Sequence, residues 1–239
     1  KMARTKVVLV HGAGGGAWEW QEWEKELREL DNVEIVAVSL EPNKDNLAAT
    51  GLDDYCEQVT RYAAGDHDTV LIGASLGGLL SLLVAQKCTA RALILVASAL
   101  PALPDSPVKV HELGHEPFPA VIRWAEGDLE ATRVCMPNSD DELVNLAWRS
   151  WRDESGRVLN EIREGVRLHK KPSCPILFVV PGKDEEIPAL HQQIVAEHLD
   201  AEILSYPELT HLGPLLSREA RTVAAAAARW LKEKLGEGR

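Results

Sequence analysis

The sequence predicts an α/β fold, a mostly parallel sheet of about six strands flanked by helices, and three observations predict it. Short apolar runs such as Lys6 to Val10, Ala92 to Ala97 and Pro175 to Val180 lack polar alternation, as strands do when helices cover both faces of a sheet. Amphipathic helical patterns alternate with these runs over much of the chain. The stretch Thr69-Val70-Leu71-Ile72-Gly73-Ala74-Ser75-Leu76-Gly77-Gly78-Leu79-Leu80 rises as a strand into Gly-x-Ser-x-Gly and turns directly into a Leu-rich helix. With 239 residues, 45% of them hydrophobic, the chain is long enough to bury one large core.

The first strand, Lys6 to Val10, runs into His11-Gly12-Ala13-Gly14-Gly15-Gly16-Ala17-Trp18, where four glycines in six residues require close backbone approach or positive φ. Two readings of this loop stand. Gly12-x-Gly14-x-x-Ala17, with Glu41 after the second strand, fits the start of a dinucleotide fingerprint. The His-Gly opening fits a loop whose amides face a developing oxyanion. From Trp18 to Leu30 the residues Trp20, Trp23, Leu27 and Leu30 recur at helical spacing, with charges on the other faces. Val33 to Val38 reads as the second strand, and Leu52, Tyr55, Cys56, Val59 and Ala63 mark a helix that Gly65 ends. After the Gly-x-Ser-x-Gly turn, a helix from Leu76 to about Lys87 has almost no polar face and should be buried.

Strand-helix alternation stops after Ala97. Residues 101–172 read as a helical insertion into a core formed by residues 1–100 and 173–239. Ser139-Asp140-Asp141-Glu142 has capping-box spacing, with Ser139 expected to cap a helix whose face carries Val144, Trp148 and Trp151. These tryptophans and Trp124 either pack the insertion onto the core or line a binding cleft, to which Phe118 also belongs as a candidate. Beyond Val180, Pro188 begins a helix to about Leu199, Ala201 to Tyr206 is the last strand, and a final helix presents Val223, Ala227, Trp230 and Leu231.

A formal charge of -11 repels a phosphate backbone, so nucleic acid is not an expected partner. No run approaches membrane-span length, and Lys1-Met2-Ala3-Arg4-Thr5-Lys6 carries no signal-peptide core, so a cytoplasmic location is expected. Cys56, Cys88, Cys135 and Cys174 lack Cys-x-x-Cys spacing and read as free, buried thiols.

Ligand sites in open parallel sheets form beyond the carboxyl ends of the strands. The loops there supply glycine-rich amides, Ser75, the acidic run Asp184-Glu185-Glu186, and His211. A serine at neutral pH needs an imidazole to take its proton and a carboxylate to fix the imidazole tautomer. Ser75, Asp184 and His211 occur in the chain order expected for a nucleophile elbow. Asp184 stands closest after its strand among the three acids, and Asp105 is the fallback. His11 is expected to support the glycine loop, Ser98 to line the pocket wall, and His111 or His115 to approach the cleft. An unperturbed His211 would titrate near about 6.5.

These motifs resemble the α/β-hydrolase superfamily along nearly the whole chain. His11-Gly12-Ala13-Gly14-Gly15-Gly16-Ala17-Trp18-Glu19-Trp20 and His211-Leu212-Gly213-Pro214-Leu215-Leu216-Ser217 are similar to stretches of its methylesterase and hydroxynitrile lyase branch. The resemblance implies an oxyanion hole from the N–H groups of Ala13 and Leu76; Gly12, with Trp124, Trp148 and Trp151 of the inserted segment, are the candidate substrate contacts. It also implies a cap over the cleft, formed by residues 101–172, and no cofactor; hydrolysis of carboxylic esters is the expected reaction, and the aromatic side chains of that segment suggest small to medium, largely apolar substrates. The lyases of that branch generally carry a threonine after the loop histidine and a lysine beside the catalytic one. Gly12 and Leu212-Gly213 occupy those places here, which favours hydrolysis over cyanohydrin cleavage. Lactonase or cofactor-free peroxidase chemistry would use the same three residues, and a small-ligand receptor on this fold is the alternative without catalysis.

Overall fold

The computed structural model describes residues 4–65, 68–114 and 116–236. Its main sheet has six parallel strands: β1 (Thr5–Val10), β2 (Val33–Val38), β3 (Asp68–Ala74), β4 (Ala90–Val96), β7 (Ile176–Lys183) and β8 (Glu202–Thr210). The strand order is β2-β1-β3-β4-β7-β8, so the direction of winding reverses between β1 and β3. In open α/β sheets a crevice for ligands forms at such a reversal. The glycine loop follows β1 and Ser75 follows β3, so both lie at that point.

Strand side chains alternate between two cores. Val8, Val10, Leu71, Leu93, Leu95, Phe178 and Val180 pack on one face under α2 (Leu52–Ala63), α3 (Leu76–Ala85) and α7 (Ala189–His198). Val7, Leu9, Val70, Ile72, Ile94, Val96 and Val179 pack on the other under α1 (Gln21–Leu27) and α8 (Ala220–Gly236). Helix α3 is buried along almost its whole length, as its composition predicts. The helix expected from Trp18 is shorter: Ala17–Trp20 form a 3-10 turn, and the α-helix proper spans α1 alone.

Two strands run further than the sequence suggests. Pro181, Gly182 and Pro207 read as breakers, yet β7 and β8 continue to Lys183 and Thr210. The ladder jumps from Pro181↔Tyr206 to Lys183↔Thr210, which makes a bulge on β8. Gly182 permits it, because a Cβ there would lie 2.6 Å from the Pro207 Cα.

Between β4 and β7 the chain forms α4 (Leu129–Cys135), α5 (Asp141–Ser150) and α6 (Gly156–Glu164), and β5 (Val121–Ile122) pairs antiparallel with β6 (Glu154–Ser155). The cap of α5 differs from the expectation. Asp140 accepts from the Leu143 N–H at 2.9 Å, because the Ser139 hydroxyl is drawn away to donate to the Leu216 carbonyl. Only Cys56 of the four thiols is buried; Cys88 and Cys174 are half-buried and Cys135 is exposed, a correction to the expectation of four buried thiols. Among the described residues no helix is long and apolar enough to cross a membrane.

The histidine loop is fixed from beneath by an indole. Trp23 is fully buried, meets Trp20 edge to face at 5.5 Å, and its Nε1–H donates to the Pro214 carbonyl at 2.9 Å. Trp23→Phe leaves that buried carbonyl unpaired and should destabilise the fold by about 2 kcal/mol, read as a lower urea midpoint at unchanged slope. An unchanged midpoint would show that the bond contributes nothing.

Candidate active site

Ser75 sits at the crest of the turn between β3 and α3 with φ 50° and ψ -121°, a region that non-glycine residues rarely enter. The turn is possible because its glycines have no side chains: a Cβ on Gly73 would lie 2.1 Å from the Gly77 carbonyl oxygen, and one on Gly77 would lie 2.0 Å from that of Val10. Gly12 passes over the serine, where a Cβ would be 3.2 Å from the Ser75 Cβ.

Strand register places the other two side chains. Lys183 and Thr210 are partners at the end of the β7–β8 ladder, so Asp184 and His211, each one residue further on, emerge side by side. His211 Nδ1 lies 2.9 Å from Asp184 Oδ2 and Nε2 lies 3.0 Å from Ser75 Oγ. The carboxylate can only accept, so Nδ1 carries the proton and the Nε2 lone pair faces the serine hydroxyl. Asp184 is buried and held by three more donors, the N–H groups of Glu186 and Ile187 at 3.0 and 2.8 Å and Gln192 Nε2 at 3.0 Å. Asp105 is exposed at a positive-φ turn, and Glu185 and Glu186 make no bond to the imidazole. Gln192 was not visible as a partner, because nothing in the sequence marks which face of α7 meets the acidic loop.

Burial opposes charge on His211, but the hydrogen bond and charge of Asp184, with Glu186 and Glu19, outweigh it and raise its pKa above the ordinary imidazole value of 6.5. His11 behaves oppositely. It is fully buried, its Nε2 accepts from the Leu40 N–H at 3.0 Å, and its Nδ1–H therefore donates to the Gly12 carbonyl at 2.7 Å. Burial holds its pKa down to about 4.

The glycine loop has its own anchors. Gly14 N–H donates to Glu154 Oε2 at 2.9 Å and Gly16 N–H to Glu19 Oε1 at 3.1 Å. The Gly14 and Gly16 amides that a pyrophosphate would need are already engaged by these side chains, which removes the dinucleotide reading of the loop. Among the described residues the Ala13 N–H has no acceptor, and Leu76 opens α3, where an N–H lacks an intrahelical acceptor. Among the described residues no cluster of three or more His, Cys, Asp or Glu side chains could hold a metal ion.

The tryptophans divide. The Trp124 ring packs directly on Gly14, where a Cβ would come within 2.2 Å of it, and the residue is 39% exposed. Trp148 Nε1–H donates to the Gly127 carbonyl at 2.9 Å, and Trp151 meets Trp18 edge to face at 5.0 Å. Phe118 and Ala13 lie against the core on the α2 and α3 face. Ser98 is fully buried against Gly78 with its hydroxyl bonded to the Ala99 carbonyl at 2.7 Å, so it packs α3 onto β4 and lines no cleft. His111 packs on Gly165, and His115 lies outside the described residues.

Glu19 was not singled out in the sequence, where it reads as one more acid at a helix start. It is buried beneath the loop, and burial, only partly offset by the Gly16 N–H, pushes its carboxyl up to about 8. Between 4.5 and about 8 the unfolded chain has released this proton while the folded chain keeps it, so stability falls as pH rises through that window. Glu19→Gln keeps the acceptor for Gly16 and removes the titration. It should abolish roughly 2 kcal/mol of stability loss between about pH 6 and 8, measured by urea unfolding at each pH. A variant that loses stability as steeply as the parent would contradict this assignment.

Comparison with known proteins bears on the whole chain. Methylesterase 7 of Arabidopsis thaliana is 28% identical over 122 residues, covering 47% of this chain and 46% of that protein, so the match spans less than half the length of the curated relative. Among solved structures, the Arabidopsis methylesterase MES16 superposes with a TM-score of 0.71 at 18% identity, over 96% of this chain and 99% of that one. Polyneuridine aldehyde esterase gives 0.68 at 18% identity, over 95% and 99%. A pyrethroid hydrolase from Sphingobium faniae JZ-2 gives 0.71 at 19% identity, over 96% and 99%. The alpha/beta hydrolase family model matches residues 7–226; the chain belongs to the alpha/beta hydrolase family.

Proposed function

We propose that this protein is a serine esterase acting on small to medium, largely apolar carboxylic esters. The observation that carries the reading is the continuous row Asp184–His211–Ser75, with bonds of 2.9 and 3.0 Å, at the reversal of strand order. Ser75 Oγ attacks the ester carbonyl as His211 Nε2 takes its proton. The N–H groups of Ala13 and Leu76 receive the oxyanion, a contribution of about 3 kcal/mol for each well-placed donor. The imidazolium, stabilised by Asp184, returns its proton to the leaving alcohol, and water then releases the acid from the acyl-serine by the same steps in reverse. Gly12 allows the ester close to Ser75, and Trp124 borders the glycine loop where the acyl group would lie; Trp148, bonded to Gly127, and Trp151, against Trp18, are further candidates for that wall. Residues 101–172 act as the cap. Relatives named as methylesterase, polyneuridine aldehyde esterase and pyrethroid hydrolase support an ester substrate.

Hydrolysis of a p-nitrophenyl ester series from acetate to decanoate tests this reading. Ser75→Ala should lose at least about 10³-fold in kcat, and Asp184→Asn, which frees the wrong imidazole tautomer, about 10³- to 10⁴-fold. Because only neutral His211 is a base and its pKa is raised, kcat/KM should fall as pH drops through a midpoint above 6.5. A rate that stays flat down to about pH 5, or turnover that survives Ser75→Ala, would refute the mechanism.

A further inference from the structure

The glycine loop is held by a buried carboxylate that the proposed chemistry does not use. Glu154 is completely buried, 140 residues from the loop in sequence, and its oxygens are fully engaged. Oε2 accepts from the Gly14 N–H at 2.9 Å and pairs with an Arg152 guanidinium nitrogen at 3.2 Å. Oε1 accepts from the Tyr55 hydroxyl at 2.7 Å and from the Ser155 N–H at 2.8 Å. The Arg152 backbone N–H in turn donates to the Gly14 carbonyl at 2.9 Å.

Both polar groups of Gly14 are therefore bound by residues 152–154, which fixes the chain on the C-terminal side of Ala13. The Gly12–Ala13 peptide is fixed through its carbonyl, which accepts from His11 Nδ1–H at 2.7 Å and from the Gly15 N–H at 3.3 Å. The Ala13–Gly14 peptide is fixed through the bond to Glu154, and the Gly14–Gly15 peptide through the bond from Arg152. Ala13 sits between locked peptide planes with its own N–H unpartnered among the described residues. Gly14 adopts φ +68°, and the Trp124 ring fills the space on its Cβ side. A loop of glycines would otherwise sample many conformations, and an oxyanion donor works only when it is aimed before charge develops.

We infer that Glu154, with Arg152 as its counter-ion, is a positioning residue for the reaction: it clamps the glycine loop so that the Ala13 N–H is aimed at the developing oxyanion. The inference rests on the esterase reading above. Its signature is kinetic, because an oxyanion donor acts on the transition state more than on the bound ester, so loosening it lowers kcat and spares KM.

Glu154→Gln keeps the size of the side chain but turns an NH₂ group toward two of the four donors that the carboxylate accepts, so at least one of them must go unpaired. In the folded variant kcat for p-nitrophenyl butyrate should fall about 10- to 100-fold with KM within about twofold, and affinity for a trifluoromethyl ketone should fall in step with kcat/KM. Arg152→Gln, at a partly exposed side chain, keeps the carboxylate and should lower kcat about three- to tenfold with the same KM pattern. Kcat of Glu154→Gln within about threefold of the parent, or a loss carried by KM alone, overturns the clamp. If Glu154→Gln does not fold, Arg152→Gln decides, and an unchanged kcat there overturns it. A parent enzyme with no ester turnover would instead refute the esterase reading, so the two failures are distinct.

Discussion

Every feature of the site depends on a close backbone contact between the turn after β3 and the end of β1. Gly77 lies so near the Val10 carbonyl that a Cβ would come within 2.0 Å of its oxygen, and Gly73 is equally tight against Gly77. Only this contact lets α3 begin immediately after the strand, which forces Ser75 into positive φ and lifts its hydroxyl clear of the sheet. The surrounding structure must hold that strained residue in place. It does so with an almost wholly buried helix on one side and two parallel strands on the other. The same contact sets the distance from the serine to the glycine loop, because the loop leaves from Val10 and passes over Ser75 at Gly12.

Around this fixed point the reactive groups are held from separate directions. His211 is placed by the end of the β7–β8 ladder, and its loop is bound by Trp23 from below and by Ser139 from the inserted segment. Asn138 adds bonds to the Glu208 carbonyl at 3.2 Å and from the Arg218 N–H at 3.1 Å. The glycine loop is bound by His11 from the core and by residues 152–154 from the insertion. The segment between β4 and β7 thus grips the loops on both sides of Ser75. Its three short helices belong to the geometry of the site as much as the sheet does.

The sheet and its helices were legible because burial on both faces writes itself as continuous apolar runs, and the serine turn because its glycines are required sterically. Asp184 and His211 could be named from their place after late strands, and Asp184 could be preferred over Glu185 and Glu186 as the acid nearest its strand, but the register that brings it beside His211, Lys183 opposite Thr210, could not be read. That register runs across a bulge which Pro181, Gly182 and Pro207 disguise as a strand end. Glu154, Gln192 and Glu19 were illegible for a different reason. Their roles come from partners that no periodicity links to them, such as Gly14 for Glu154 and Asp184 for Gln192, and an acid or amide beside a helix start reads as surface until its burial is seen. Ser139 failed as a cap because a tertiary acceptor, the Leu216 carbonyl, competes for its hydroxyl.

The central claim is that this arrangement makes Ser75 a nucleophile that becomes acylated. Treating the intact protein with a fluorophosphonate and mapping the labelled peptide by mass spectrometry tests it most directly. The account predicts one adduct per chain, on Ser75, formed slowly or not at all in His211→Ala. An unlabelled chain, or an adduct on any other residue, would contradict it.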